Sequence, residues 1–251
     1  MRHQVLLSGL IAGALALAAN PANADEWSYQ IEPYLWGLGI DGDVGIGRLE
    51  GQDVDVDFGD ILDTLDMGLM ARFEAHHENG WGLALDYAFM DLSEDRTSPR
   101  GGVLDAGVRM GIFDALLVKA ARSGDEKLDY FVGLRWGDID VDVAFDPVIL
   151  PGTVRRSVSE DWLDLVVGMR WTNLLNEKWS FTLHGDVGGG GTDFTANGVV
   201  GFRYGISDSK ELNLQYKALA VDYETGIPGQ PGYFQYDTTT HGVIIGFIFK
   251  F

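Results

Sequence analysis

Residues 241–251, with the sequence HGVIIGFIFKF, decide how the rest of the chain is interpreted. The odd positions of this stretch are apolar from Val243 to Phe251, and the even positions carry glycine, isoleucine and Lys250. A period of two places the bulkiest groups on one face of a β-strand, because successive side chains point to opposite sides. The stretch therefore predicts a strand with one apolar, aromatic face that ends on an aromatic residue.

The start of the chain has the features of an export signal. A short polar start and an apolar run from Val5 to Ala19 precede Ala22-Asn23-Ala24, which has the small residues that signal cleavage needs. The apolar run is shorter than the roughly 20 residues of a membrane-spanning helix. We therefore expect residues 1–24 to be a cleaved signal peptide and residues 25–251 to form the mature domain.

The composition excludes several classes of function. The sequence has 38 Asp plus Glu against 18 Lys plus Arg, and this excess of negative charge argues against nucleic acid as a partner. Cysteine is absent, so neither disulfides nor thiolate metal sites are available. The sequence contains 34 glycines and 12% aromatic residues. Without helical periodicity, this composition predicts strands and turns rather than disorder.

Ten strand-like segments follow the signal peptide. They lie at 27–40, 66–78, 81–92, 103–121, 127–144, 160–172, 178–188, 194–206, 210–223 and 241–251. Asn79-Gly80, between the second and third segments, is the strongest hairpin signal, because both central residues of a type I′ turn need positive φ. The connections after the second, fourth, sixth and eighth segments are short and most others are long, with only the link at 188–193 departing from this alternation.

Short turns on one side, long loops on the other and an even number of strands are typical of bacterial outer-membrane barrels. The sequence therefore predicts an all-β fold: a single antiparallel transmembrane β-barrel of ten strands, with eight or twelve strands as alternatives. The short turns should be periplasmic and the longer loops extracellular. The closing strand, 241–251, should pair antiparallel with residues 27–40, which removes both open edges.

The two faces of the strands distinguish a membrane barrel from a soluble one. One face carries bulky apolar residues, with aromatics such as Trp27, Trp81 and Trp179 near the strand ends. The other face is largely glycine and alanine with one or two mid-strand charges, which suits the crowded interior of a narrow barrel. Aromatics at strand ends match the two girdles of an outer-membrane barrel. A soluble periplasmic barrel or sandwich is the alternative.

Two places break the alternation. Trp136 and Ile139 can share a face only if a bulge occurs near Gly137, after which the aspartates of 138–142 would point inward. Asp114 falls among the outward, apolar positions of its segment, which requires a bulge, a register shift or a different placement of this strand.

The predicted lumen carries acidic and basic residues on almost every strand, at similar heights. They are Glu32, Arg72, Glu74, Asp86, Arg109, Asp129, Arg135, Asp164, Arg170, Asp186, Arg203 and Lys217. One interpretation is an ion-pair network that fills the interior, since buried charges must be paired. The other is a polar eyelet lining a pore for a small solute or ion. The first is favoured, because a narrow barrel leaves little room.

An enzyme is a further hypothesis. His76 and His184 are predicted to face the lumen, and His184 shares a strand face with Asp186. Ten-stranded omptin-type surface proteases resemble this architecture and use acidic residues with a histidine, but the number of strands is the only resemblance. Nucleophile-elbow and P-loop patterns are absent from the sequence. We therefore expect no enzymatic activity, no catalytic residues and no cofactor, with an omptin-like surface hydrolase as the last alternative.

Residues 41–65 are predicted to form a long acidic loop. Its DVDVDFGD segment, 53–60, has the spacing of a calcium loop, but Phe58 and Thr64 stand where an EF-hand needs glycine and glutamate. The same alternation suits a strand whose acids face water, so no metal site is predicted. Residues 61–66 are a candidate for a helical turn that covers the barrel mouth.

Four segments carry a resemblance to a known family: PYLWGLGIDGDVGIG at 33–47, DILDTLDMGLM at 60–70, DWLDLVVGMRW at 161–171 and the closing HGVIIGFIFKF. They resemble an uncharacterised family of small outer-membrane β-barrel proteins of Gram-negative proteobacteria, over nearly all of the mature chain. The resemblance implies a barrel in the outer membrane and supplies no activity and no catalytic residues.

The expected function is that of a non-enzymatic outer-membrane barrel with a structural or interaction role and a charged, largely filled lumen. A narrow channel for small solutes or ions is the alternative. The expected partners are outer-membrane lipid and lipopolysaccharide, which divalent ions would bridge to the acidic outer loops. A small solute is a further candidate, and the oligomeric state is left open.

Overall fold

The computed structural model of the chain describes residues 26–97, 103–146 and 154–251. Within these ranges the elements are β1 (Trp27–Ile46), β2 (Leu49–Val56), α1 (Phe58–Thr64), β3 (Leu65–His77), β4 (Trp81–Thr97), β5 (Val103–Ser123), β6 (Glu126–Asp146), β7 (Val154–Leu174), β8 (Trp179–Gly190), β9 (Phe194–Ser207), β10 (Lys210–Thr225) and β11 (Phe234–Lys250). The predicted signal peptide lies outside the described residues. No helix in these three ranges has the length and the apolar character of a membrane span.

Ten of the strands close an antiparallel barrel. From β3 to β11, each strand pairs with the next one along the chain. The barrel closes where β11 pairs with β1, from Gln30↔Lys250 to Ile46↔Phe234. On its other side β1 meets β3, from Trp27↔His77 to Pro33↔Ala71. The predicted ten-stranded barrel and the predicted pairing of the closing strand with the first are both confirmed.

The acidic segment after Ile40 is mostly regular structure, so its prediction as a loop is wrong. β1 continues to Ile46, and β2 returns along it from Ile46↔Leu49 to Ile40↔Val56. Glycine has a packing role in this extension, because a Cβ on Gly42 would collide with the backbone of β11 at Asp237 and Thr238. The predicted helical turn exists as α1, but it packs against β1 and β4 at the side of the barrel.

An apolar band surrounds the barrel. The odd residues of β11 point outward as predicted, and 40–50% of the surface of Val243, Ile245, Phe247 and Phe249 is exposed. At the end of the barrel with the short turns, Tyr29 stacks on Phe251 with ring centroids 5.9 Å apart. Toward the other end, the outward positions become acidic at Asp41, Asp91, Asp138, Asp161 and Asp222. Apolar strands flanked by aromatic residues form the lipid-facing belt of an outer-membrane barrel.

The alternation is not broken in β5 or β6. These two strands pair in one continuous register from Val103↔Asp146 to Ser123↔Glu126. Ile139 is buried inside the barrel, so the predicted bulge at Gly137 is wrong and the aspartates of 138–142 do not point inward. Apolar side chains occur on both faces here, which is why hydrophobicity placed Trp136 and Ile139 on the same side.

Candidate functional site

The predicted lumen charges lie on the inward face of their strands, with one correction. Arg109 lies on the outer face, where its Nη2 is 3.5 Å from Oδ2 of Asp140 and 3.6 Å from Oδ2 of Asp142. Its side chain is about half exposed. The two faces of β5 are inverted relative to the prediction, because Leu116 and Val118 point into the lumen beside Asp114.

Arg170 joins two acids across the lumen. Its Nη2 donates to Oε2 of Glu74 at 2.8 Å and to Oδ2 of Asp129 at 2.9 Å. Lys127 Nζ lies 3.1 Å from the same Asp129 oxygen, and His76 Nε2 lies 2.8 Å from Oε2 of Glu74. Arg170 is on β7 and Glu74 is on β3, four strands away around the ring. This pair therefore connects nearly opposite walls.

Arg135 holds a second group of acids. Its Nε and Nη2 donate to the two carboxylate oxygens of Asp114 at 2.8 and 3.0 Å, a bidentate geometry that is among the strongest charge-assisted pairs. Its Nη1 lies 3.0 Å from Oδ1 of Asp186 and donates to Oγ1 of Thr195 at 3.2 Å. The Arg135 side chain is 1% exposed, so these partners replace water completely.

His184 belongs to the same group. Its Nε2 lies 2.7 Å from Oδ2 of Asp186, and Asn197 Nδ2 donates to that oxygen at 3.0 Å. The imidazole stacks on Phe131 with ring centroids 4.9 Å apart. The acid and the histidine are thus brought together as predicted, but Asp186 is shared with Arg135 and the imidazole is packed against a ring.

A third group lies where β1, β3 and β4 meet. Arg72 Nη2 donates to Oδ2 of Asp86 at 2.7 Å, and Tyr34 Oη donates to the other Asp86 oxygen at 2.8 Å. Arg72 Nη1 also lies 3.5 Å from Oε2 of Glu32, which accepts through Oε1 from Asn213. Sequence reasoning missed Asn213, whose amide carries no charge to mark it.

The remaining predicted charges have other partners. Asp164 accepts from the Thr192 amide at 2.8 Å and from its hydroxyl at 2.9 Å, which fixes the connection between β8 and β9. Lys217 Nζ lies over the Trp36 ring, 4.6 Å from its centroid. The Nε of Arg203 is buried without a hydrogen-bond partner among the described residues. We call the inward charges and their partners the charged lumen network.

An apolar cluster fills the lumen beyond this network, toward the extracellular ends of the strands. Its buried members are Tyr34, Trp36, Leu38, Ile40, Ile61, Met90, Met110, Ile139, Trp162, Leu219, Val221, Tyr223, Phe234, Tyr236 and Ile244. Trp162 stacks on Tyr223 and Tyr236 with centroids 5.1 and 6.1 Å apart. Tyr236 Oη lies 4.0 Å from Sδ of Met110, on a strand four places away. We call this group the apolar lumen cluster.

The sequence prediction missed the apolar lumen cluster, although β1 carries its signal. The even, inward positions of that strand change from Gln30 and Glu32 to Tyr34, Trp36 and Leu38. An inward face that turns apolar halfway along a strand indicates a lumen that is packed rather than hydrated. The cavity that lies between Trp36, Trp162 and Tyr236 within the cluster has a volume of about 30 Å³, which leaves room for about one or two water molecules.

The described residues offer no arrangement of three or more histidine, cysteine, aspartate or glutamate side chains that could hold a metal ion. In the network, carboxylates face guanidinium, ammonium, imidazole, amide and hydroxyl groups, as at Arg135 and Arg170. Such pairing fixes the side chains and stabilises the charges in the barrel interior.

The comparisons with known proteins concern the fold. No protein-family model matches the chain, and no curated protein matches it significantly. Among solved structures, the chain is similar to the translocator domain of the autotransporter NalP from Neisseria meningitidis, with 10% identity, a TM-score of 0.53 and coverage of 99% of this chain and 96% of that one. It is also similar to the outer membrane protease OmpT from Escherichia coli, with 10% identity, a TM-score of 0.50 and coverage of 90% and 97%.

At this identity the likeness concerns the fold alone. It agrees with three features of the structure: the closed ring of ten antiparallel strands, the outward apolar band and the aromatic residues near the short turns. It also agrees with the fold that the family resemblance implied. The chain thus has the fold of an outer-membrane β-barrel protein.

Proposed function

We propose that this protein is a non-enzymatic outer-membrane barrel whose lumen is closed to ions and that acts through its outer surface. The observation that carries the proposal is contact between nearly opposite walls in two layers of the lumen. Arg170 meets Glu74 in the charged lumen network, and Trp162 meets Tyr236 in the apolar lumen cluster. Each of these pairs joins strands four places apart in the ring.

The two layers oppose ion passage in different ways. In the network, an ion would have to compete with bidentate, buried ion pairs for the same oxygens and guanidinium groups. In the apolar cluster, an ion would lose its hydration without gaining a polar partner, which is strongly unfavourable. A pore for small solutes would require both layers to open at once, so the channel alternative is less well supported.

Single-channel recording in planar bilayers tests the closed lumen. The mature barrel should show no steady openings, and neither should W162G/Y236G nor E74A/R170A, because each variant leaves the other layer in place. The quadruple variant should conduct. Heat-modifiable migration on gels checks that each variant still folds as a barrel.

Steady, cation- or anion-selective openings of the unaltered protein would contradict the proposal. Conductance of W162G/Y236G alone would show that the charged lumen network does not seal the lumen. Silence of a folded quadruple variant would show that other side chains close it, and that these two contacts are not the barrier.

The proposal also holds that His184 is structural. Its ring is stacked on Phe131, and its carboxylate partner is shared with Arg135 and Asn197. The proposed role is therefore structural, within the outer membrane. Membrane lipid would contact the apolar band, and lipopolysaccharide would lie beside the acidic positions above that band. Loss of a defined hydrolytic activity in folded H184A or D186A would overturn this part of the proposal.

A further inference from the structure

The wall of the barrel is incompletely paired between β1 and β3. β3 pairs with β1 only as far as Pro33↔Ala71, and β2 pairs with the same edge of β1 only from Ile40 onward. Between these points, no strand in the described part of the chain lies against this edge of residues 34–39. The facing edge of β3, residues 65–70, is likewise free of β1, although β4 pairs with its other side.

The interruption lies within the apolar band. Across β1, the residues opposite it on β11 include the lipid-facing Val243 and Ile245. Unpaired strand edges are unfavourable in a lipid environment, because their N–H and C=O groups have no water to bond. Such a gap in the wall therefore has to be covered by another part of the protein.

Helix α1 fills part of the gap. Ile61 points inward and is buried in the apolar lumen cluster, whereas Phe58 and Leu62 remain half exposed on the outside. The Phe58 ring covers Gly37, with Cε2 3.3 Å from the place where a Cβ on that glycine would lie. The Asp57 side chain accepts from the Asp60 amide at 3.0 Å and fixes the start of the helix. The helix thus lies in the wall with one face toward lipid and one toward the lumen.

A crevice of about 810 Å³ remains around α1, within the range of roughly 300–1,000 Å³ of small-molecule sites. Its outer end is lined by the lipid-facing Leu35, Val243 and Ile245. Its inner end reaches Met70 and Met90 on the lumen side of the wall. These two methionines also line the small cavity of the apolar lumen cluster. The crevice therefore connects the lipid face with the apolar interior.

The rim of the crevice is polar and acidic. Tyr216 Oη and Nδ1 of His241 lie 2.8 Å apart, and Nε2 of His241 contacts Asp41. Asp55 and Asp57 also line the rim. Three carboxylates at the entrance disfavour an anionic ligand such as a fatty-acid carboxylate.

We propose that this crevice is a lateral binding site for an uncharged hydrocarbon molecule that reaches it from the outer leaflet. The apolar side chains that line the crevice suit a hydrocarbon, the acidic rim selects against anions, and the opening lies on the lipid-facing surface. This site is separate from the contacts that close the lumen to ions, and the proposal does not depend on that closure.

A free hydrocarbon fits the site better than the acyl chain of a membrane lipid. An acyl chain is tied to a headgroup at the membrane surface and extends along the outside of the wall. The crevice instead runs through the wall to Met70 and Met90. A molecule without an attached headgroup can enter to this depth with no polar group to desolvate.

Photolabelling of the full mature barrel in phospholipid nanodiscs tests the proposal. The probe is a long-chain alkyl diazirine, an uncharged hydrocarbon that reacts with neighbouring side chains on illumination. We expect labels on Met70, Met90 and Ile61, mapped by mass spectrometry, and loss of these labels on addition of unlabelled dodecane. The same diazirine in a fatty acid should label these three positions weakly, because of the acidic rim.

Gly68→Phe fills the crevice from the lumen side of β3, where a Cβ would have only ordinary contacts at 3.8 Å. It should reduce labelling of Met70 and Met90 by roughly tenfold or more, as expected when a hydrocarbon loses its place in an apolar pocket. Gly198→Phe is the matched control, since it adds the same side chain on the lipid-facing side of β9, where a Cβ has open space. This control should leave the labels unchanged.

Labels confined to lipid-facing side chains, or labels that G68F leaves unchanged, would overturn the proposal. Labelling of Met70 and Met90 by a diazirine-bearing phospholipid but not by the alkyl probe would assign the crevice to membrane lipid and also overturn it. If G68F does not fold, Phe58→Ala provides the opposite test. It removes a ring from the outer face of α1 and should increase the labelling of Met70 and Met90.

Discussion

The two layers of the lumen close the same barrel by opposite chemistry. The charged lumen network is built from side chains that each need a specific partner, such as Arg135 between Asp114 and Asp186. The apolar lumen cluster is built from side chains that need only neighbours of suitable shape, such as Trp162 between Tyr223 and Tyr236. Along β1, β4, β6 and β10 the charged members come first and the apolar members follow toward the extracellular end.

This difference determines how each layer should respond to mutation. Removal of one partner from an ion-pair network leaves the other charge buried and unpaired, so the loss is large and does not scale with the size of the side chain. Removal of a methyl group from an apolar cluster loses the free energy of transferring that group from water and leaves a cavity. The loss of stability therefore increases with the volume of the cavity. The network should therefore be sensitive to single changes, and the cluster should respond gradually.

Arg135→Ala should give the largest loss, because it leaves Asp114 and Asp186 buried without their cation. We expect the free energy of unfolding to fall by about 3–5 kcal/mol, the usual consequence of breaking a buried pair. Equilibrium unfolding in urea from detergent micelles measures it.

The matched control replaces Arg135 together with its two acids. R135M/D114L/D186L removes all three charges and should recover most of the loss, because apolar residues of similar volume often replace buried ion pairs without penalty. A triple variant as unstable as R135A would indicate that the network stabilises the barrel through its charges and not merely through the absence of unpaired ones.

Asn213→Ala should have the next largest effect. Asn213 is fully buried and donates to Glu32, whose remaining cation, Arg72, lies 3.5 Å away. A hydrogen bond to a charged group contributes about 1.5–3 kcal/mol, so urea unfolding should detect a loss of that order. Asn213→Asp should be worse still, since it places a second carboxylate against Glu32. A harmless N213D would contradict the contact.

The sequence predicted the layer made of charges better than the layer made of apolar residues, for a physical reason. An inward charge between small residues stands out against an outward apolar face, as at Arg170 and Asp186. In the apolar lumen cluster both faces are apolar, so period two no longer shows which face is inside. For this reason the pattern placed Ile139 on the outer face. It also placed Asp114 outside and Arg109 inside, because Leu116 and Val118, which point into the lumen, were assigned to the lipid-facing side.

The gap in the wall could not be predicted from the sequence, for a different reason. Gly42, Gly45 and Gly47 mark a loop by composition, but β1 runs through the first two and turns only at Gly47, with φ of +64°. Here glycine permits the backbone of β11 to approach Gly42, which is a tertiary effect. The sequence did predict the Asn79-Gly80 turn and the strands that have one polar and one apolar face. Their signals depend only on residues close together in the chain.

Ile139→Val tests the apolar lumen cluster with the smallest possible deletion. Ile139 is 4% exposed, and the loss of one methylene from a packed core destabilises by about 0.5–1.5 kcal/mol. Ile139→Ala should cost more, in proportion to the cavity. If Ile139 faced lipid, as hydrophobicity alone suggested, both variants would unfold at nearly the urea concentration of the unaltered barrel.

Arg109→Ala should have the smallest effect, although Arg109 and Arg135 both come from the set of charges predicted for the lumen. Arg109 is half exposed beside Asp140 and Asp142, and exposed ion pairs contribute roughly 0–1 kcal/mol. Its effect should diminish further at high salt, because mobile ions screen exposed charges, whereas the effect of R135A should persist. If R109A lost as much stability as R135A and salt did not change that loss, Arg109 would have to lie in the lumen, as the sequence predicted. It would also show that the faces of β5 are inverted relative to the structure.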